Sequence, residues 1–174
     1  MEPSRSPTLE ESRERMKAHF PDRDAGKGER WEALWKDKFL PFDRGVPNPA
    51  LEDTLVERQN ILGSAIRSDG KRRKALVPGC GRGYDVLLLA SFGYDAYGLE
   101  VSETAVKQCE EEKKKNGHRY PTRQESIGRG RADFVHGDYF DDGWLAQNNL
   151  QDFDLIYDYT VSTSQDSGRA AAED

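Results

Sequence analysis

The chain has 174 residues, enough for one domain with a sizeable core, and its 26 basic against 32 acidic side chains leave a formal charge of −6. That balance argues against a broad grip on nucleic-acid phosphates or an anionic membrane surface, and the longest apolar run, Val86 to Ala90, is far too short to span a bilayer. A charged N-terminus without the apolar core of a secretory signal, and two cysteines without ligand-like spacing, point to a reducing, cytoplasmic setting.

Residues 1–27 read as a polar arm, in which Thr8 and Glu11, three apart, carry the capping-box signature that opens a short helix. The domain proper is expected over residues 28–160. Its first stretch, "ERWEALWKDKFLPFDRGVPNPALEDTLVERQNILG", sets Trp31, Leu34 and Trp35 on one helix face at i, i+3 and i+4. Core packing and a roof over a site are both open readings of that face. Pro41, Pro47 and Pro49 interrupt regular structure before a second helix over about residues 49–62.

From Lys74 the texture changes to alternating strands and helices. "KALVP" is the first strand, and a helix from Tyr84 to Phe92 stops at Gly93. "YDAYGLE" is the second strand, and Ser102 caps a helix that ends near Asn116 and Gly117. The basic stretch "GHRYPTRQESIGRGR" reads as a solvated, mobile insertion. "ADFVHGDYF" and "FDLIYDYT" supply a third and a fourth strand, and the alternation implies a parallel α/β sheet. Residues 161–174 are polar and small, outside the pattern, and are expected to be disordered.

In open α/β sheets a ligand sits beyond the carboxyl ends of the strands. The first such end reads "LVPGCGRGYD", where Gly79, Gly81 and Gly83 let a ligand approach the main chain. The dinucleotide fingerprint wants glycine where Tyr84 stands, and the Gly-Lys-Ser/Thr of a phosphate loop is absent, so pyrophosphate loses its warrant. Glu100 ends the second strand, where a carboxylate accepts hydrogen bonds from ribose hydroxyls. Asp138 follows the third strand, suited to an adenine amino group with Tyr139 and Phe140 around the ring; a loop-starting aspartate is the plainer alternative. Asp158 and Tyr159 close the fourth strand and are candidates for shaping the reacting end.

Asp85, Glu100, Asp138 and Asp158 thus gather at one edge, with Arg82 the basic residue of the first turn, available for a carboxylate. Such an edge repels phosphate and suits a cation that carries adenosine. S-adenosyl-L-methionine is that ligand. Trp31 and Trp35, folded over it, would offer π faces to the sulfonium, an attraction of about 0.5–2 kcal/mol.

Taken jointly, "WEALW", "PFDRGVPNPAL", "LVPGCGRGYDVLLLASFGYDAYGLEVSETAV", "FVHGDYF" and "FDLIYDYT" resemble the thiopurine S-methyltransferase family, and are most similar to its fungal and plant thiol and halide methyltransferase branch. The likeness runs from about Trp31 to Thr160. It implies a Rossmann-like S-adenosylmethionine-dependent methyltransferase fold, with cofactor contacts at Trp31, Trp35, Phe42, Gly79, Glu100, Asp138, Tyr139 and Tyr159. The family's domain has seven strands, so the resemblance also implies an incomplete sheet of about four, truncated at its C-terminus. The activity it implies is in-line methyl transfer to a small thiol or similar soft nucleophile, without a nucleic-acid or membrane partner. The alternative is an inactive cofactor-binding fragment or a partner-dependent regulatory module.

No catalytic base is named, because a thiol with a pKa of about 8.5 is partly ionised at neutral pH. Cys80 reads as a small buried residue and Cys109 as a helix-face one. His19, His118 and His136 share no metal-ligand spacing, and no metal is expected.

Overall fold

A computed structural model describes residues 7–21, 27–159 and 161 of the chain. Four strands, β1 (Lys74–Pro78), β2 (Asp95–Glu100), β3 (Ala132–His136) and β4 (Leu155–Ile156), form one sheet in the order β3-β2-β1-β4. Every neighbouring pair runs parallel, and the register aligns Pro78 with Leu99 and Glu100 with His136. That alignment brings the turns after β1, β2 and β3 to a common edge.

The central strands β1 and β2 are buried on both faces, as parallel strands usually are. Leu76, Tyr97, Leu99 and Val135 face one layer, packed with Trp144 and Leu150. Ala75, Val77, Ala96 and Ala132 face the other, against Val86, Leu87 and Leu89 of helix α5 (Tyr84–Ser91). Small residues on that second face let α5 lie close. A Cβ on Gly98 would stand 2.6 Å from Cys80 Sγ and 2.9 Å from Val86 Cγ2. Six consecutive residues of α5, Val86 to Ser91, are buried, which accounts for its unbroken apolar run.

Local signals set the outer helices. In α1 (Leu9–His19) Glu11 N–H donates to Thr8 Oγ1 at 3.2 Å while Thr8 N–H donates to the Glu11 carboxylate at 2.6 Å, a complete capping box. This helix docks on the segment that follows it: the Arg15 guanidinium lies 3.9 Å from the Phe39 ring centroid, and His19 Nε2 is 2.8 Å from the Arg30 carbonyl oxygen. Helix α2 (Lys27–Lys36) carries Trp31 and Trp35. The expected single helix over 49–62 breaks at Arg58 (φ −110°, ψ 25°) into α3 (Pro49–Glu57) and α4 (Gln59–Leu62). Helix α6 (Glu103–Asn116) begins at Ser102, whose Oγ accepts the Ala105 N–H at 3.0 Å.

The basic segment 117–131 is not a solvated insertion; it packs down. Arg129 donates to the Tyr120 and Gly117 carbonyls, and Arg72 donates to those of Gly93 (2.8 Å) and Ile127 (2.6 Å). Guanidiniums there satisfy an irregular backbone that has no ladder of its own. A short helix α7 (Gly143–Gln147), unmarked by any sequence signal, buries Trp144 beneath the sheet. Residues 162–174 lie outside the described residues, so the expected disorder of the tail falls there. Among the described residues no helix is long and apolar enough to cross a membrane.

Candidate functional site

The aligned strand ends and the α2–α3 segment enclose a hollow of about 710 Å³. Its floor is the β1–α5 turn, where Gly79, Gly81 and Gly83 have φ of 58°, 55° and 78°, a left-handed run open mainly to glycine. The Cys80 N–H donates to the Leu99 carbonyl at 3.2 Å, tying this turn to β2.

Glu100 completes that tie. It is only 6% exposed, and its carboxylate accepts the Gly81 N–H at 3.0 Å and the Ser102 N–H at 3.1 Å. Burial pushes the carboxyl above its ordinary range, with the amide donors pulling the other way. Two of its lone pairs are taken by main chain, and the group still borders the hollow.

The roof is aromatic. Trp31 and Phe42 meet edge to face at 5.4 Å, and Trp35 and Phe42 at 6.1 Å. Trp35 is 2% exposed and lies over the glycine turn, its Cζ2 3.8 Å from where a Gly81 Cβ would be. Core packing and a place bordering the hollow are thus compatible for this side chain.

Arg82 is not available for a ligand carboxylate as its isolation in the turn suggested. It is ion-paired with Asp43 of the α2–α3 segment, and its guanidinium lies 5.6 Å from the Trp35 ring centroid. Asp85 accepts the Asn48 N–H at 2.7 Å, and burial pushes its carboxyl up. Asp138 is exposed and accepts the Phe140 N–H at 3.0 Å, which shapes the loop that carries Tyr139. Tyr159, 54% exposed, accepts from Arg44 Nη2 at 3.3 Å. Asp158 does not line the hollow; its carboxylate accepts the Val161 N–H at 2.8 Å.

The eight residues expected from sequence therefore share one hollow: Trp31, Trp35 and Phe42 above, Gly79 and Glu100 below, and Asp138, Tyr139 and Tyr159 around the rim. One positioning residue escaped the sequence reading. Glu32, between the two tryptophans, accepts from Ser102 Oγ (2.6 Å), Thr104 Oγ1 (2.7 Å) and the Thr104 N–H (3.0 Å), and pairs with Lys36 at 3.2 Å. It thereby clamps the roof helix to the N-terminus of α6, where a negative charge is favoured. Partial burial works against ionisation, but the Ser102, Thr104 and Lys36 donors outweigh it and lower the carboxyl to about 2.

Removing the clamp in Glu32→Ala should cost about 1–2 kcal/mol, on the scale of a lost helix cap. Because the folded pKa of about 2 lies below the ordinary 4.5, the wild-type advantage is complete above pH 4.5 and fades as pH falls to about 2. Urea unfolding of both proteins across that range measures it. A gap that does not change with pH would refute the charged clamp.

The parallel sheet, the left-handed glycine turn and the strand-end hollow define a Rossmann-like α/β domain. A model of the thiopurine S-methyltransferase (TPMT) family matches residues 26–167, and the chain belongs to that family. It is 34% identical over 131 residues to thiocyanate methyltransferase 1 of Brassica oleracea, covering 75% of this chain and 47% of that protein. With probable thiol methyltransferase 2 of Arabidopsis thaliana it shares 32% over 138 residues, 79% of this chain and 50% of the other. The chain thus spans about half the length of the curated relatives it matches. A solved structure from work on the conversion of a disulfide bond into a thioacetal group during echinomycin biosynthesis superposes with a TM-score of 0.54 at 26% identity, covering 78% of this chain and 48% of that one.

Proposed function

We propose that this chain is the cofactor-binding part of an S-adenosylmethionine-dependent methyltransferase acting on a small thiol or similar soft nucleophile. The observation that carries the reading is the charge of the hollow. Asp43, Asp85, Glu100 and Asp138 line it against Arg44 and Arg82, and Arg82 is already neutralised by Asp43. A negatively charged, aromatic-roofed hollow attracts a cationic nucleoside and disfavours a pyrophosphate.

Residues 28–160 form the binding unit in this reading. Glu100 takes the ribose through the lone pairs its amide partners leave, Asp138 and Tyr139 take the adenine, and Trp31, Trp35, Phe42 and Gly79 enclose the remainder. Tyr159 borders the reacting end. Bound there, the cofactor supplies a methyl group already activated on a sulfonium. The chain's own contribution is to enclose and orient the reactants and to exclude water, so a thiolate needs no strong base beside it. The relatives' names, thiocyanate and thiol methyltransferase, support a sulfur nucleophile as acceptor. A cytoplasmic setting is part of the proposal, supported by the two cysteines in 174 residues.

Calorimetry of the full chain with S-adenosylhomocysteine and with NAD tests the cofactor assignment, and transfer of labelled methyl to simple thiols and thiocyanate tests the activity. Selective binding of S-adenosylhomocysteine with label in the acceptor is the expected result. Equal or tighter binding of NAD, or saturable cofactor binding without any transfer, would overturn the respective half of the proposal.

A further inference from the structure

We propose that Arg44 is the acceptor-orienting residue of this hollow, holding a small soft anion by its guanidinium beside Tyr159; the assignment rests on the methyltransferase reading above. Two cations line the hollow, and they are used differently. Arg82 is paired with the Asp43 carboxylate and covers Trp35. Arg44 has no carboxylate partner among the described residues. Its Nη2 donates to the neutral Tyr159 hydroxyl at 3.3 Å, and its guanidinium carbon lies 5.7 Å from the tyrosine ring centroid. In a hollow with surplus negative charge, an arginine resting on a neutral ring keeps its full charge and most of its donors for an incoming anion.

Its position is held from both sides. Asp43, the preceding residue, is tied to Arg82 of the glycine turn and also accepts the Gly45 N–H at 2.9 Å. A few residues on, the Asn48 N–H is bound to Asp85 of α5 at 2.7 Å. The loop bearing Arg44 is therefore fastened to the floor of the hollow at two points, which limits the ordering cost of using it.

The strand order argues for the acceptor over the cofactor. Glu100 and Asp138 stand at the ends of β2 and β3, whereas Tyr159 follows β4 on the opposite flank of β1. A nucleoside on the β2–β3 side leaves the β4 side, where Arg44 reaches, for the second reactant. Val46 on the rim is exposed and apolar, a surrounding that favours a weakly hydrated anion over a strongly hydrated one.

The test titrates the full chain, saturated with S-adenosylhomocysteine, with thiocyanate, followed by tryptophan fluorescence and calorimetry. Arg44→Gln is expected to weaken thiocyanate at least about 10-fold and Arg44→Lys to recover part of the loss, with affinity for S-adenosylhomocysteine changed by less than about 2-fold. Arg58→Gln, between α3 and α4 and away from the hollow, should match wild type. Thiocyanate binding to Arg44→Gln as tight as to wild type, or none to wild type with S-adenosylhomocysteine bound, would overturn the assignment while leaving the cofactor site intact. A fall in S-adenosylhomocysteine affinity in both Arg44 variants would move the residue to the cofactor carboxylate and equally overturn it. Failure of wild type to bind S-adenosylhomocysteine at all would strike the proposed function itself.

Discussion

Replacing Glu100 with alanine should weaken S-adenosylhomocysteine by about 1.5–3 kcal/mol, roughly 10- to 150-fold in Kd, when measured by calorimetry near neutral pH. The expectation follows from how the fold holds the carboxylate. It is 6% exposed and accepts the Gly81 and Ser102 amides, so its orientation toward the hollow is set before any ligand arrives. Two ribose hydroxyls would complete its hydrogen bonding with charge-assisted bonds. The same substitution strands two main-chain donors, so unfolding must be followed alongside binding. Glu100→Gln separates the effects, because an amide refills the volume but presents an N–H₂ group toward one of those donors.

The pH dependence supplies an independent reading of the same residue. Burial raises the Glu100 carboxyl above its ordinary 4.5, against the opposing amide hydrogen bonds. A raised folded pKa means the buried charge costs stability above that pKa, and the cost is relieved as pH falls through it. Ribose hydroxyls, however, donate to the ionised form. Affinity should therefore be flat at neutral pH and decline on acidification at a midpoint above 4.5, in the range where Glu100 itself becomes more comfortably buried. A decline that persists unchanged in Glu100→Gln would assign the titration to another group.

Much of this edge was legible because it depends on local order. Capping residues such as Thr8 and Ser102 act within three positions of themselves, and both caps form as their spacing implies. A parallel register then carries the ends of consecutive strands to one side, so a reader who finds the strands has found the edge that borders the hollow. Trp31, Glu100, Asp138 and Tyr159 belong to four different segments, yet each was marked by its place beside a strand end or on a helix face.

The illegible contacts are pairings across sequence. Glu32 reaches Ser102 over 70 positions, and Arg82 reaches Asp43 over 39. Nothing near Glu32 or Asp43 distinguishes it from an ordinary surface charge, and neither the Ser102 cap nor the Arg82 turn points to its distant partner. The basic segment 117–131 misleads for a related reason. Charge suggests solvent, but Arg129 spends its charge on the half-buried Tyr120 carbonyl, and Arg72, from outside the segment, does the same at Ile127, a use that only the folded backbone creates. Asp158 shows the converse: it follows β4 as expected, yet it does not line the hollow, and its carboxylate accepts the Val161 N–H.

Gly83→Ala tests whether the turn's shape, as well as its charge, is specified by packing. Gly83 sits at φ 78° and ψ 16° as the N-cap of α5, with its N–H donating to the Cys80 carbonyl at 2.9 Å and its carbonyl accepting the Leu87 N–H at 3.0 Å. The left-handed conformation costs an L-residue about 1–2 kcal/mol. A Cβ there would also stand 2.3 Å from Phe134 Cε1 and 2.7 Å from its Cζ. Phe134 also packs over the bare backbone of Gly98, its Cδ1 2.9 Å from where a Gly98 Cβ would be, and overpacking of this kind costs about 1–3 kcal/mol. The two contributions give an expected loss of about 2–5 kcal/mol in denaturant unfolding, at unchanged slope. Gly70→Ala separates them, because Gly70 has φ 81° with nothing within 4 Å of its Cβ position, and should lose the conformational part alone. If the two variants are equally stable, Phe134 does not wall the turn, and the close seating of α5 on β2 and β3 that holds the glycine run beneath Trp35 is wrong.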